Sequence, residues 1–406
     1  MRPLRAVLVL GLACAACARA PEGACPPGGE PGLLVIRHGR LFDGTGGPVV
    51  EDAAVVVRGN RIAAAGRAGT VDVPRCAREI DAAGGTILPG FIDNHVHLRT
   101  HLNRGEDVLT PWLRAGVTTL VDTGTARGGL ARLREMVRTV STEPPRLYAA
   151  GPIFTAPGGY PATRREEGVS EVAYGLHDPA EARAAVARVI DEEGADLIKV
   201  AVERGFFADY ADPEGWPVPP PEVLAAIVET AHARGRKVRA HVTQPGELAA
   251  ILDAGCDATA HTPLVDLPEP LLERAARQGV IFTTTVNIWG GDDPSLTRAV
   301  QRNLARYVRL GGRVALGTDA PLFQPGSGMP MGEIRLLAEA GLSSRDVLLA
   351  ATLHGAQALG LEAQLGTLAP GKLADVLVVD GDPLADLTAL ERVRAVVRDG
   401  EVIRAP

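Results

Sequence analysis

The chain has 406 residues, 46% of them hydrophobic and 22% charged, a globular composition with room for one large domain and a smaller one. Its net charge of -7 comes without a block of basic residues, which argues against a nucleic-acid partner and leaves a small-molecule substrate as the expected one. Aromatics make up only 4%, and the abundance of Ala, Gly and Val suits helices packed closely on a parallel sheet.

Residues 1–20 read as a signal peptide. Arg2 and Arg5 precede the apolar run Ala6 to Ala16, which is too short to span a bilayer. Cleavage after Ala18 fits the small-x-small pattern Ala16-Cys17-Ala18. Cys14 and Cys17 also suggest a lipoprotein, so the expected location is either free in the periplasm or anchored to the bacterial envelope, with membrane attachment through an N-terminal lipid in the second case. Residues 21–31 are a Pro/Gly linker serving as a flexible tether. Beyond the leader stand Cys25, Cys76 and Cys256. Cys25 and Cys76 both lie near the start of the folded part and are candidates for pairing in an oxidising compartment, while Cys256 reads as a small buried apolar residue.

Residues 32–86 are strand-like. Leu33-Leu34-Val35-Ile36, Ala54-Val55-Val56-Val57 and Arg61-Ile62-Ala63-Ala64 are separated by turn signals such as Arg58-Gly59-Asn60. The same character returns in residues 364–406, at Ala374 to Val379, Val393 to Val397 and Glu401 to Ile403, flanking Asp380-Gly381-Asp382-Pro383 and Asp399-Gly400. One small β-sandwich domain built from both chain ends accounts for both segments, with residues 87–363 inserted between them.

The insert alternates strand and helix. Apolar runs occur at 91–98, 117–123, 146–154, 196–202, 237–242, 257–262, 280–286 and 313–319. Between them, Leu224, Ile227, Val228 and Ala231 follow helical spacing with Pro221 near the start and Gly235 as the stop, and Val186, Val189 and Ile190 mark a helix ended by Gly194. Eight strands alternating with helices predict an α/β fold, a (β/α)8 TIM-like barrel. An open doubly wound sheet is the runner-up, weakened by the lack of a Gly-rich phosphate loop. Long connections at 155–178, 203–220 and 320–332 follow predicted strands 3, 4 and 8, and in a barrel they would cover the C-terminal face where substrates bind.

Barrel enzymes place catalytic groups at the C-terminal ends of strands. Those ends carry His95 and His97 on strand 1, Lys199 on strand 4, His241 on strand 5, His261 on strand 6 and Asp319 on strand 8. Two histidines two apart on a strand project to one side and can reach one ion. Four histidines and an Asp at one level of a barrel are hard to explain as packing.

Here the chain resembles the amidohydrolase superfamily, in the branch with two metals and a lysine on strand 4, close to its imidazolonepropionase-like and prolidase-like members. The resemblance is carried by Pro89-Gly90-Phe91-Ile92-Asp93-Asn94-His95-Val96-His97, Lys199, His241, His261 and Gly317-Thr318-Asp319. It extends to Leu41-Phe42-Asp43-Gly44, Gly371-Lys372-Leu373-Ala374-Asp375-Val376 and Asp382-Pro383-Leu384 near the two ends. It implies two divalent metal ions, zinc being the expected species: His95, His97 and Asp319 hold the more buried one, and His241 and His261 the more exposed one. Lys199 would bridge them as a CO2-derived carbamate. An ammonium beside two cations would be repelled, whereas a carbamate offers anionic oxygen. Two ions sharing a water lower its pKa from 15.7 to about 7, and the resulting hydroxide would attack an amide, cyclic amide or dipeptide C–N bond, with catalytic Asp319 moving the proton to the leaving nitrogen.

Two departures leave the substrate open. Pro321 to Gly326 has no His where many relatives carry one, and Ala260 stands where many have Glu. Candidate substrate contacts in the long connections are Tyr160, Arg164, Arg165, Arg204, Tyr210 and Trp216, an Arg being able to grip a carboxylate. His38, His101, His177, His232 and His354 lack ligand context and read as structural or surface residues. Alternative functions are a lactonase, esterase or phosphoesterase using the same site, a non-catalytic binding scaffold, and a mononuclear deaminase, the last disfavoured by Lys199.

Overall fold

The computed structural model describes residues 25, 26, 28–162, 171–205, 215–289, 294–320 and 328–405. The barrel strands are Phe91–Val96, Val117–Asp122, Arg146–Ala149 continued by Ile153–Thr155, Ile198–Ala201, Val238–His241, Ala258–Thr259, Ile281–Thr283 and Arg313–Ala315. Neighbours pair in parallel around the ring, for example Thr119 with Arg146, Lys199 with Ile153, and Ile281 with Arg313. The ring closes where Asn94 N donates to Leu316 O at 2.8 Å and Val96 bridges Ala320. Helices cover the outside, so the first two strands are buried along their whole length, as parallel strands with two covered faces are.

The (β/α)8 expectation therefore describes the molecule, with local corrections. The run 146–154 is not one continuous strand. Gly151, at φ +77°, is followed by Pro152, which breaks the ladder; the first half pairs with the second strand and the other half with the fourth. The regular ladders of the sixth and eighth strands are shorter than the apolar runs. Beyond Ala315 the chain leaves regular pairing before it reaches Asp319. After Ile281–Thr283 the chain turns into a single 3-10 segment, Val286–Trp289.

Helix starts follow their local chemistry. Pro179–Asp191 is capped by the Asp178 carboxylate, which accepts from the amides of Ala180 and Glu181. Pro221–His232 and Pro245–Ala254 both open on a proline, which lacks only a donor that the first turn leaves unused.

Both chain ends build one eight-stranded mixed sheet. Leu33–Leu41 runs antiparallel to Val50–Arg58 on one side, while its other edge is shared by Arg78–Asp81 and Thr86–Pro89. Val376–Val379 pairs with Thr86–Pro89, and Val393–Arg398 and Glu401–Arg404 follow outward. Arg78–Asp81 and Thr86–Pro89 are strands the sequence pattern missed. The sheet folds around its own apolar cluster, including Ile36, Val55, Ile62, Ile87, Val376 and Val397. Cys25 and Cys76 are disulfide-bonded with Cα atoms 5.2 Å apart, and Cys256 is buried as a free thiol. At the N-terminal end of the third barrel strand, Arg146 forms ion pairs with Asp375 and Asp399 beside the strands of the sheet. Among the described residues no helix is long and apolar enough to cross a membrane; the proposed leader, 1–20, lies outside them.

Candidate metal centre

The deepest part of the site is made by the first and eighth strands. His95 Nδ1 donates to the carbonyl of Ala260 at 2.7 Å, so its lone pair is on Nε2. That atom lies 3.2 Å from His97 Nε2 and 3.3 Å from Asp319 Oδ1, and His97 Nε2 lies 3.0 Å from the same oxygen. Asp319 is turned into this position by a left-handed backbone (φ +58°) and by its amide, which donates to His95 O at 2.7 Å. Just before it, Thr318 is pinned by Asp93, whose carboxylate accepts from both its amide (3.0 Å) and its hydroxyl (2.6 Å). Gly317 allows the close approach: a Cβ there would lie 2.5 Å from Thr283 Cγ2 and 3.0 Å from His95 Cβ.

A row of imidazoles continues from this cluster. The ring centroids of His95 and His261 are 4.7 Å apart, and those of His261 and His241 again 4.7 Å. His261 Nδ1 lies 3.0 Å from Thr285 Oγ1, which turns Nε2 inward. Thr285 is itself held at φ +43°. His241 is oriented the other way. Its Nε2 lies 3.1 Å from Glu203 Oε2, so the nitrogen left for the site is Nδ1. Lys199, only 1% exposed, stands on the adjacent strand. Burial pushes its amine down to about 7, helped by Arg239 and opposed by Asp319 and Asp122. Arg239, buried on the next strand, donates to the carbonyl and side chain of Asn94.

These donors fit divalent metal. Burial, followed by Lys199 and the other imidazoles, holds His95 well below the usual histidine range; His261 is held there by burial and then by His241. Both therefore stay neutral, as ligands must. Asp319 Oδ1 is buried and makes no hydrogen bond although two ring nitrogens lie within 3.3 Å, the disposition of ligands to one ion rather than of a donor and its acceptor. Bonds of about 2.0 Å at tetrahedral angles put ligand atoms roughly 3.3 Å apart, close to the 3.0–3.3 Å found. Among the described residues, His95, His97 and Asp319 are the three whose ligand atoms all converge within 4.8 Å.

The expected substrate contacts divide. Tyr160 stacks on His241 with centroids 4.5 Å apart and on Trp216 at 5.2 Å. Arg204 is exposed and lines a cleft with Val218, Leu224 and Ala250 between two outer helices. Arg164, Arg165 and Tyr210 lie outside the described residues. The remaining histidines have other surroundings: His38 is beside Asp81, His101 beside Glu106, His232 beside Asp257 and His354 beside the Val314 carbonyl, while His177 is exposed. Sequence reasoning missed Glu203, Thr285 and Trp289, whose indole meets His261 edge-on at 5.5 Å. Glu203 carried one signal, an acid directly after the fourth apolar run.

The model for the amidohydrolase family matches residues 86–403. An imidazolonepropionase of Symbiobacterium thermophilum is 28% identical over 396 residues, covering 86% of this chain and 90% of that protein. A solved amidohydrolase structure superposes with a TM-score of 0.77 at 25% identity, covering 92% of this chain and 99% of the other. A Xaa-Pro dipeptidase with methionine bound in its active site has a TM-score of 0.79 at 23% identity, with 91% and 99% covered, a likeness of fold.

Proposed function

Because the chain belongs to the amidohydrolase family and is a hydrolase of carbon–nitrogen bonds, we propose that it works with two divalent ions, zinc the expected species. His95, His97 and Asp319 hold one; His241 and His261 hold the other; Lys199 is shared between them as a carbamate. The observation that carries the reading is the convergence of two imidazole nitrogens and an unbonded carboxylate oxygen at 3.0–3.3 Å, extended by two further imidazoles.

Bound there, such ions supply Lewis acidity toward a carbonyl and bring the pKa of water down to about 7. The chain's own groups do the rest. A Lys199 amine held near 7 is substantially neutral at physiological pH; its neutral nitrogen can add to CO2 with loss of one proton, turning an uncharged amine into an anionic oxygen donor. The Asp319 carboxylate, fixed by the Thr318–Asp93 contact, accepts the proton of the attacking water and delivers it to the departing nitrogen. Tyr160, Trp216 and Trp289 wall the His241–His261 side with flat apolar surface, suited to the organic part of an amide, cyclic amide or dipeptide. A substrate panel tests this reading. Turnover is expected on N-acyl amino acids, dipeptides or cyclic amides, and hydrolysis of lactones or phosphoesters with no cleavage of any C–N bond would sink it.

We also propose that the protein is exported and held at the bacterial envelope. The charged-then-apolar leader supports this, as does the Cys25–Cys76 disulfide, a bond characteristic of oxidising compartments. Cell fractionation with intact mass measurement distinguishes a lipid-modified N-terminus from simple cleavage; a full-length cytosolic product contradicts export.

A further inference from the structure

His241 is gripped from two sides by groups outside the ligand set. Tyr160 covers its face at 4.5 Å, and Glu203 Oε2 meets Nε2 on its edge at 3.1 Å. The Glu203 side chain has no exposed surface. Its Oε2 also accepts the Thr243 hydroxyl at 2.7 Å, and its Oε1 accepts the Gly205 amide at 2.9 Å. A second buried carboxylate secures the same loops. Glu247, in the first turn of Pro245–Ala254, accepts from the amides of Arg204 (2.8 Å), Thr243 (2.6 Å) and Gln244 (3.0 Å). The Thr243 hydroxyl has one proton to give, and it lies nearer to Glu203 than to Glu247, which is 3.2 Å away. Two acids are thus buried where each is costly without donors, and the donors named here tie together the loops around His241.

We propose that Glu203, tied down by Thr243 and Glu247, is a positioning residue that locks His241 with Nε2 protonated and Nδ1 facing the cluster, and so sets the affinity of the ion His241 shares with His261. The inference rests on the two-ion reading above. A carboxylate on the outer nitrogen fixes the tautomer and raises the basicity of the inner one, and removing such a partner typically costs 10- to 100-fold in metal affinity.

The test is a zinc titration of the full chain against a chromophoric chelator, resolving two dissociation constants for wild type, Glu203→Gln, Glu203→Ala and Thr243→Val, with the melting midpoint of each metal-free protein. Glu203→Gln keeps the shape and guards against a variant that does not fold. The expected result is that both Glu203 variants weaken one ion by about 10- to 100-fold and leave the other within about twofold, Thr243→Val weakens the same ion by less, and the metal-free midpoint of the isosteric Glu203→Gln stays with that of wild type. Equal weakening of both ions, or two wild-type affinities retained in Glu203→Ala, overturns the inference alone. A wild type that takes up a single ion overturns the two-ion reading and the inference with it.

Discussion

Arg146 offers a quantitative test of how the barrel is fastened to the sheet formed by the chain ends. Its guanidinium is 14% exposed and pairs with Asp375, 5% exposed, and Asp399, 32% exposed. Asp375 Oδ1 also accepts the Asp399 amide at 2.9 Å. Replacing Arg146 with Met keeps the aliphatic stem but leaves the Asp375 carboxylate buried without its counter-ion. Breaking a buried pair in this way costs about 3–5 kcal/mol. An unfolding entropy near 2.1 cal/mol/K per residue sums to about 0.8 kcal/mol/K for a chain of this length, so the midpoint should fall by about 4–6 °C. The assay is calorimetry at one scan rate and one zinc concentration, because bound metal shifts the midpoint by mass action. Adding Asp375→Asn to Arg146→Met should restore part of the loss, since the uncompensated charge is then gone. A shift below about 1 °C for the single variant, or full additivity of the two, would refute the clamp.

Three further outcomes bear on the site. Lys199→Ala should lose metal and activity together, read by plasma mass spectrometry and turnover; a variant with both ions and full rate would end the bridging-carbamate proposal. Asp319→Asn should lower kcat by about a hundredfold or more, the scale of a lost general acid–base group, while retaining at least one ion; an unchanged kcat would remove Asp319 from the proton path. Glu333 supplies a pH signature away from the ligands. It is buried, accepts the amides of Val286 and Asn287, and is pushed up to about 7 by burial. A carboxyl raised when folded contributes stability that is full below its unfolded value near 4.5 and lost as pH rises through 7. The difference amounts to about 3 kcal/mol at 1.36 kcal/mol per pKa unit, and Glu333→Gln should flatten the wild-type decline between pH 5 and 8 in urea unfolding. Identical pH slopes for the two proteins would contradict the assignment.

The clustering of the proposed ligands was legible because each lies in or at the end of an apolar run, and strand periodicity with barrel topology then brings those positions to one face. His241 and His261 are 20 residues apart in sequence, yet their rings meet edge to face with centroids 4.7 Å apart for that reason. What positions them was less legible. The Ala260 carbonyl that orients His95 is backbone and leaves no trace in residue type. Thr285 and Glu203 lie just past strand ends, where polar residues are expected for solvation as often as for support. Arg78–Asp81 escaped notice because it alternates charge with one apolar residue, Ile80, and its pairing partner is more than 40 residues away. The break in the third strand was readable from Gly151-Pro152, since a left-handed glycine followed by a residue without an amide donor cannot continue a ladder.

One side-chain cluster, centred on His95, His97 and Asp319 and continued by His261, His241 and Lys199, is proposed to hold two ions that the hydrolysis needs. The decisive experiment is metal counting on the purified protein, coupled to chelation and re-addition. Two divalent ions per chain, loss of C–N hydrolysis when they are stripped, and recovery as zinc returns are the expected results. Full hydrolytic activity in a metal-free protein, or in one holding a single ion, would contradict the proposal.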